Sequence, residues 1–349
     1  MEEKINIKQI AELAGVSVAT VSHVMNQNGR FSAETERRVK DVIEKYRYIP
    51  NTVAKGLRTN RMQVIGIIVP DIVNNYFARL VRKTEKLFFE RGYSTVICNT
   101  DESRELEQRH VQTLISQQVT GIIFISGRYC YEAGGRLPMI YVDRRPEGFA
   151  ESGDMIVIES DNEEGGYLSA ESLLRGGCRR LAVLLASGLD YNHKARLAGC
   201  ERALRDYGVS LLPGQVMDVA ENSFGAAREA IKKAIDTGLE FDALMCTTDE
   251  LAIGAILGLR ERGRSVPGDV RITGFDDTAM AAAYNPPISS IHQNVDRMAA
   301  CSVDAMLELV ENGRTEKTYQ KLPVHLVERE SSGISAETSE CTGSFRMEI

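Results

Sequence analysis

Apolar residues recur at helical spacing three times before residue 47, and then the pattern changes. Ile10, Leu13 and Ala14 form one apolar face behind Asn6, which makes a capping pair with Gln9, and Gly15 ends that helix. Ser17 is placed to cap a second helix over 18–26, where Val21, Val24 and Met25 face inward. Ala19, Ser22, His23 and Asn26 fall at i, i+3, i+4 and i+7 and leave a polar face outward. Ser32 caps a third helix whose Val39, Val42, Ile43 and Tyr46 can close a small core over the first two, and Pro50 stops it from continuing.

Beyond Arg61, short β-branched runs alternate with amphipathic helices over most of the remaining chain, which is α/β logic. The predicted strands are 64–69, 94–98, 121–125, 139–142, 156–158, 180–185, 243–247 and 270–274. The predicted helices lie near 76–91, 103–118, 162–175, 195–207, 225–237 and 249–262. Short apolar strands of this kind suit parallel sheets covered on both faces. A second group begins after Asp161-Asn162, so two doubly wound lobes are expected, with ligands outside the carboxyl ends of the strands. Residues 331–349 are rich in Ser, Thr, Gly and Glu and read as a loose polar tail.

Composition narrows the classes. At 349 residues and 43% hydrophobic, the chain holds two or three folded domains. Its longest apolar runs are far shorter than the roughly 20 residues that span a bilayer, and no apolar signal segment follows Met1. A cytoplasmic protein without a membrane partner is expected. The seven cysteines stand at least 22 residues apart, so no Cys-x-x-Cys zinc or redox pair exists, and no metal or cofactor is expected. The net charge of −7 conceals a division: residues 1–61 carry 11 Lys/Arg against 7 Asp/Glu, and the rest 31 against 42. A polyanionic partner should meet the amino-terminal piece.

A helix, a glycine turn and a second helix with small polar residues facing out can enter a major groove. Spacing alone leaves this even with a plain helical cap, and the positive charge favours nucleic acid. The segment Ile7-Lys8-Gln9-Ile10-Ala11-Glu12-Leu13-Ala14-Gly15-Val16-Ser17-Val18-Ala19-Thr20-Val21-Ser22 resembles the amino terminus of the lactose/galactose repressor (LacI/GalR) family of bacterial transcription regulators. The resemblance continues through Tyr48-Ile49-Pro50-Asn51, Ile65-Gly66-Ile67-Ile68-Val69-Pro70-Asp71, Arg196-Leu197-Ala198-Gly199 and Gly274-Phe275-Asp276-Asp277 to Glu330, about nine tenths of the chain.

The resemblance implies a helix-turn-helix domain over 1–50, a hinge over 51–61 and a two-lobed periplasmic-binding-protein-like (type I) effector and dimerisation domain over 62–330. Its first lobe would be about 62–160 plus 292–322, its second about 161–291 plus 323–330. It implies that Val18, Ala19 and His23 read base edges, with Ser17, Thr20, Ser22 and Asn26 nearer the backbone, and that Asn51 also belongs to the DNA-binding set. His23 replaces the family's usual Arg, so one good donor or acceptor stands where a bidentate guanine contact is common. In the implied hinge, Leu57 corresponds to a minor-groove wedge and Lys55, Arg58 and Arg61 to phosphate contacts. Gly56 there costs roughly 1 kcal/mol against Ala if the hinge is helical.

The same resemblance lines an interlobe cleft with Tyr76, Phe77, Asp143, Arg196, Thr248, Asp249 and Asp276. Carboxylates accept hydroxyl protons and Arg presents a rigid fork of donors, a mixture suited to a sugar-like or other small polar effector. Asp143 and Asp249 could equally serve as capping or strand-end groups. Ala220 stands where relatives place a stacking aromatic, with Phe224 one helical turn away. Asp190 would disfavour a phosphorylated effector if it faced the cleft.

The leading reading is a repressor that binds a pseudo-palindromic double-stranded operator as a homodimer under control of a small effector; a tetramer stays open. The alternatives are the same regulator with a protein corepressor, and a cytoplasmic solute-binding protein without DNA function. An enzyme is disfavoured, because no Gly-rich phosphate loop, nucleophile elbow or metal-ligand cluster occurs.

Overall fold

Asn6 accepts from the amides of Lys8 and Gln9, and the Gln9 side chain returns to the Asn6 amide at 2.8 Å, so helix α1 (Ile7–Ala14) starts with a complete capping box. Gly15 closes it at φ 65°, a left-handed conformation that costs glycine nothing. Helices α2 (Val18–Met25) and α3 (Ala33–Lys45) follow, and Ile10, Ala11, Ala14, Val21, Val24 and Val39 form their common core. The computed structural model describes residues 5–25, 27–48, 63–131, 137–149, 155–186, 191–316 and 318–333. The chain divides into two compact units, Met1–Met62 and Gln63–Ile349.

The larger unit contains two sheets. In chain order come β1 (Val64–Val69), α4 (Asn75–Glu90), β2 (Ser94–Asn99), α5 (Arg104–Ser116), β3 (Gly121–Ile125), β4 (Met139–Val142) and β5 (Ile156–Ser160). Then follow α6 (Asn162–Arg175), β6 (Leu181–Ala186), α7 (Tyr191–Asp206), β7 (Val216–Val219), α8 (Phe224–Asp236), β8 (Ala243–Cys246), α9 (Asp249–Glu261), β9 (Arg271–Phe275), α10 (Ala279–Ala283) and β10 (Ser289–His292). Last come α11 (Val295–Asn312), β11 (Tyr319–Leu322), β12 (His325–Val327) and a 3-10 turn at Glu330–Ser332.

The first sheet has the order β11-β5-β4-β3-β1-β2 and is parallel throughout. The second has the order β12-β10-β9-β8-β6-β7, with only β12 antiparallel. Central strands such as β3 and β6 are buried along their whole length, as expected of sheets covered on both faces. The chain crosses between lobes three times: after β5, after β10, and between β11 and β12. No described helix is long and apolar enough to cross a membrane.

Strands β7, β10, β11 and β12 and helices α10 and α11 are not among the elements predicted from the sequence. The first residues of the loose tail expected from residue 331 belong to the fold instead. Ser331 and Ser332 are buried; Ser331 donates to the Ile272 carbonyl at 2.7 Å, and the Ser332 hydroxyl lies 2.7 Å from that of Ser289. These serines add a polar plug to the end of the second sheet, a role that hydroxyls fill by bonding backbone and that composition does not reveal. Residues 334–349 lie outside the described residues.

Candidate functional site

In the small unit, the Ser17 hydroxyl accepts from the Thr20 amide at 3.1 Å and lies 2.9 Å from the Thr20 hydroxyl, fixing the entry of α2. Ala19 and His23 are exposed, Ser17 is exposed at the same end, and Thr20 and Ser22 are half-buried. Val18 packs partly against the core, so of the three residues expected to read bases it presents the least surface. His23 Nδ1 sits 3.2 Å from Asn28 Oδ1. When Nδ1 carries the proton for that contact, Nε2 points on as an acceptor. Gly29, at φ +106°, lies against the His23 ring, where a Cβ would press on it. Asn28 and Gly29 are thus supports for His23 that the sequence reading missed. Asn26, Asn51, Lys55, Leu57 and Arg58 lie outside the described residues.

In the large unit, Tyr76, Asp143, Arg196 and Asp276 converge on one buried network. Asn74 caps α4 by accepting from the Tyr76 and Phe77 amides, which sets Tyr76 on the inward face of the first turn. The Tyr76 hydroxyl donates to Asp143 Oδ1 at 2.7 Å and lies 3.3 Å from Gln293 Oε1. Ser126 donates to Asp143 Oδ2 at 3.0 Å, and Gln293 Nε2 donates to Asp276 Oδ1 at 2.7 Å. One chain of hydrogen bonds therefore runs from the end of β4, through the residue that follows β10, to the end of β9. Both carboxylate positions have left-handed backbone, φ 76° at Asp143 and 109° at Asp276, a strain that strand-end functional residues often carry.

Arg196 is held from three sides. Its Nε donates to Asn162 Oδ1 at 2.8 Å, its Nη1 to the Thr247 carbonyl at 2.6 Å, and its guanidinium lies 3.5 Å from the Phe275 ring centre. The crossing of α6 and α7 depends on two glycines in close approach: a Cβ at Gly166 would collide with the Arg196 carbonyl oxygen, and one at Gly199 with that of Glu163. Helix α7 thereby lies close enough to α6 for Arg196 to reach Asn162 and the Thr247 carbonyl.

Burial pushes the Asp276 carboxyl well above the ordinary range; Arg196 pulls the other way, and Asp249 and Asp143 add repulsion. Burial also raises the Tyr76 phenol, helped by Asp143, so it stays a donor. The network thereby holds both donors and acceptors in fixed positions.

The remaining expected cleft residues also carry bonds that hold the fold together. Asp249 accepts from the Thr278 amide and hydroxyl at 2.7 and 2.9 Å and from the Ser290 hydroxyl at 2.5 Å, so both its oxygens tie α9 to β10 and the turn before α10. Thr248 caps α9 and donates to Asn222 Oδ1 at 2.6 Å. Phe77 packs half-buried against the first-lobe core. Phe224 lines a narrow recess with Asn74, Asp249, Glu250 and Asp276, residues drawn from both lobes. Asn162, Asn192 and Gln293 were missed: each is one amide in an otherwise unremarkable stretch, and only the crossovers bring them together.

Residues 6–51 match the pattern of bacterial regulatory proteins of the lacI family, and residues 170–332 that of a periplasmic binding protein-like domain. The HTH-type transcriptional repressor PurR of Pasteurella multocida is 30% identical over 334 residues, covering 93% of this chain and 98% of the relative. The chain belongs to the lacI family. Among solved structures, the lac repressor dimer bound to operator and the anti-inducer ONPF superposes with a TM-score of 0.84 at 26% identity, covering 95% of this chain and 99% of that one. The transcriptional regulator CelR in complex with cellobiose gives 0.72 at 26% identity, over 94% and 99%. This lacI-family member is a DNA-binding transcriptional regulator in which a helix-turn-helix unit precedes a two-lobed, periplasmic-binding-protein-like unit.

Proposed function

We propose that this chain is a cytoplasmic repressor, without catalytic activity, that binds a two-fold operator as a homodimer and is controlled by a small polar effector in the interlobe cleft. The observation that carries this reading is the hydrogen-bonded run Tyr76–Asp143, Tyr76–Gln293 and Gln293–Asp276 beside Arg196. It joins both lobes through side chains that a ligand's hydroxyl or amide groups can replace one for one. A ligand with different affinities for two lobe arrangements shifts their populations, with coupling of about 1–3 kcal/mol. The relatives support the same reading: a named repressor, a repressor dimer on its operator, and a regulator holding a disaccharide.

On the DNA side, His23 offers a single acceptor from Nε2 when Nδ1 serves Asn28, which suits the amino group of cytosine or adenine in the major groove. Leu57 acts as the minor-groove wedge, and Lys55 and Arg58 contact phosphates. Selection of bound duplexes from a random pool by the full chain tests the reading: a palindromic site should emerge, and His23→Arg should move one symmetric position toward guanine. Absence of any enriched palindrome overturns it.

A further inference from the structure

Two residues past Asp143, Arg145 lies between a buried carboxylate and three rings. Its Nε and Nη2 donate to Glu159 Oε1 at 2.8 and 2.6 Å, and Nη2 also donates to the Tyr319 hydroxyl at 2.6 Å. That hydroxyl donates in turn to the same Glu159 oxygen at 2.7 Å. Glu159 is 1% exposed, so the guanidinium compensates a carboxylate that water does not reach. The first lobe thus holds Arg145 by the edge of its fork, and a guanidinium held by its edge can still stack through its face. The Phe149 and Tyr319 rings, centred 5.3 and 5.1 Å from its central carbon, belong to the same lobe. The third ring does not. Tyr191, the first residue of α7 in the second lobe, has its ring centre 4.2 Å from that carbon. It is 39% exposed and stands outside the apolar clusters formed by the described residues of its own lobe. Asn192, beside it, donates to the Asp143 carbonyl at 3.0 Å. Residues 143 and 145 on one side and 191 and 192 on the other therefore make two adjoining contacts between lobes, at the start of the helix that carries Arg196. Asp190 lies outside the described residues.

We infer that Arg145 and Tyr191 form a clasp between the lobes. The guanidinium, fixed by Glu159 and Tyr319, is the seat on which the first turn of α7 rests, and the contact weights the lobe equilibrium toward the arrangement of this structure. The inference rests on reading the chain as a cleft-controlled regulator, and it adds a device outside the hydrogen-bonded run of Tyr76, Asp143, Gln293 and Asp276. The negative face of an aromatic ring attracts a cation, and a contact of that strength shifts a two-state equilibrium by about 2- to 30-fold. A cleft ligand shifts the same equilibrium, so the clasp sets the operator affinity from which the ligand starts. Arg145 and Tyr191 are positioning residues in this account.

The test replaces Tyr191 in the full chain by phenylalanine and by phenylalanines carrying one, two and three ring fluorines. That series drains negative potential from the ring face at nearly constant size. Operator Kd without ligand is read by anisotropy on the selected palindromic duplex. Tyr191→Phe should stay within about twofold of wild type. The fluorines should move Kd stepwise in one direction, by about threefold or more in total, with Tyr191→Leu at or beyond the end of the series. In an Arg145→Lys chain the steps should vanish, because an ammonium cannot bond Glu159 and Tyr319 while lying flat on the ring. Should that variant fold poorly, Arg145→Gln/Glu159→Gln, which buries no unpaired charge, takes its place. A flat series overturns the clasp. A change in Tyr191→Leu that the fluorines do not reproduce overturns it too, since packing would then be the whole contribution. The fluorine-19 resonance of the monofluorinated chain reads the contact with no DNA present. It should shift when Arg145 is replaced, and an unchanged resonance overturns the contact itself. A wild type that binds no palindromic duplex, with that resonance still shifted on replacement, would instead count against the regulator reading.

Discussion

The Asn192 side-chain amide donates to the backbone carbonyl of Asp143 at 3.0 Å, tying the first turn of α7 in the second lobe to the turn after β4 in the first. Both residues are buried. A neutral hydrogen bond of this kind contributes about 1 kcal/mol. Asn192→Ala should lower stability by about 0.5–1.5 kcal/mol in urea unfolding and weaken cleft-ligand binding several-fold. An unchanged ligand affinity would place this bond outside the machinery that closes the cleft.

Arg196 gives a sharper expectation. Arg196→Ala removes the donors to Asn162 Oδ1 and the Thr247 carbonyl and the contact with Phe275. The cost should be about 3 kcal/mol. Arg196→Lys should recover little of it, since a lysine cannot bond Asn162 and Thr247 while lying flat on the ring. Denaturant midpoints of the two variants decide; a lysine variant near wild type would contradict the account.

A side chain at Gly199 would collide with the Glu163 carbonyl and drive α7 away from α6. Gly199→Ala should therefore weaken ligand binding tenfold or more through displacement of Arg196, with a stability loss of about 1–3 kcal/mol. A calorimetric titration returning wild-type affinity would show that the helix crossing does not position Arg196.

Asp249 titrates at about 6 in the folded chain against 3.8 ordinarily, because burial outweighs the bonds from Ser290 and Thr278. Between those pH values the folded chain holds a proton that the unfolded chain has released. Its contribution to stability is therefore full below about pH 3.8 and is lost as pH rises through about 6. Relative to Asp249→Asn, the unfolding free energy of the wild type should fall as pH rises from 4 to 7. Parallel pH profiles for the two proteins would contradict this.

Local signals in the sequence were legible where chemistry and position coincide. The Asn6/Gln9 capping box, the Gly15 stop and the Ser17 and Ser32 caps are short-range devices, and each forms as the spacing predicts. The strands of both sheet centres are short apolar runs bounded by turns, so they were readable too. Edge strand β7 has a mostly exposed pattern, and β11 and β12 flank a crossover, so none of the three presents a clean apolar run. Helix α11 buries Val295, Met298, Ala299, Ser302 and Val303, a face whose alanine and serine dilute the periodic contrast.

The cleft was harder to read for another reason. Asp143, Arg196 and Asp276 stand in motifs, but Gln293 acquires its role from a partner 217 residues away and Asn162 from one 34 residues away. No local pattern marks such amides. The same distance effect left the role of Asp249 open between ligand and structural group, since its partners Ser290 and Thr278 become visible only once β10 is in place.

The central claim, that a cleft ligand sets operator affinity, is tested most directly by fluorescence anisotropy of the selected palindromic duplex against the full chain. The titration would be run with and without a compound that raises the melting temperature. The account predicts a change in operator Kd of about 5- to 150-fold, abolished by Arg196→Ala. A compound that binds the wild-type cleft yet leaves the operator Kd unchanged would contradict it.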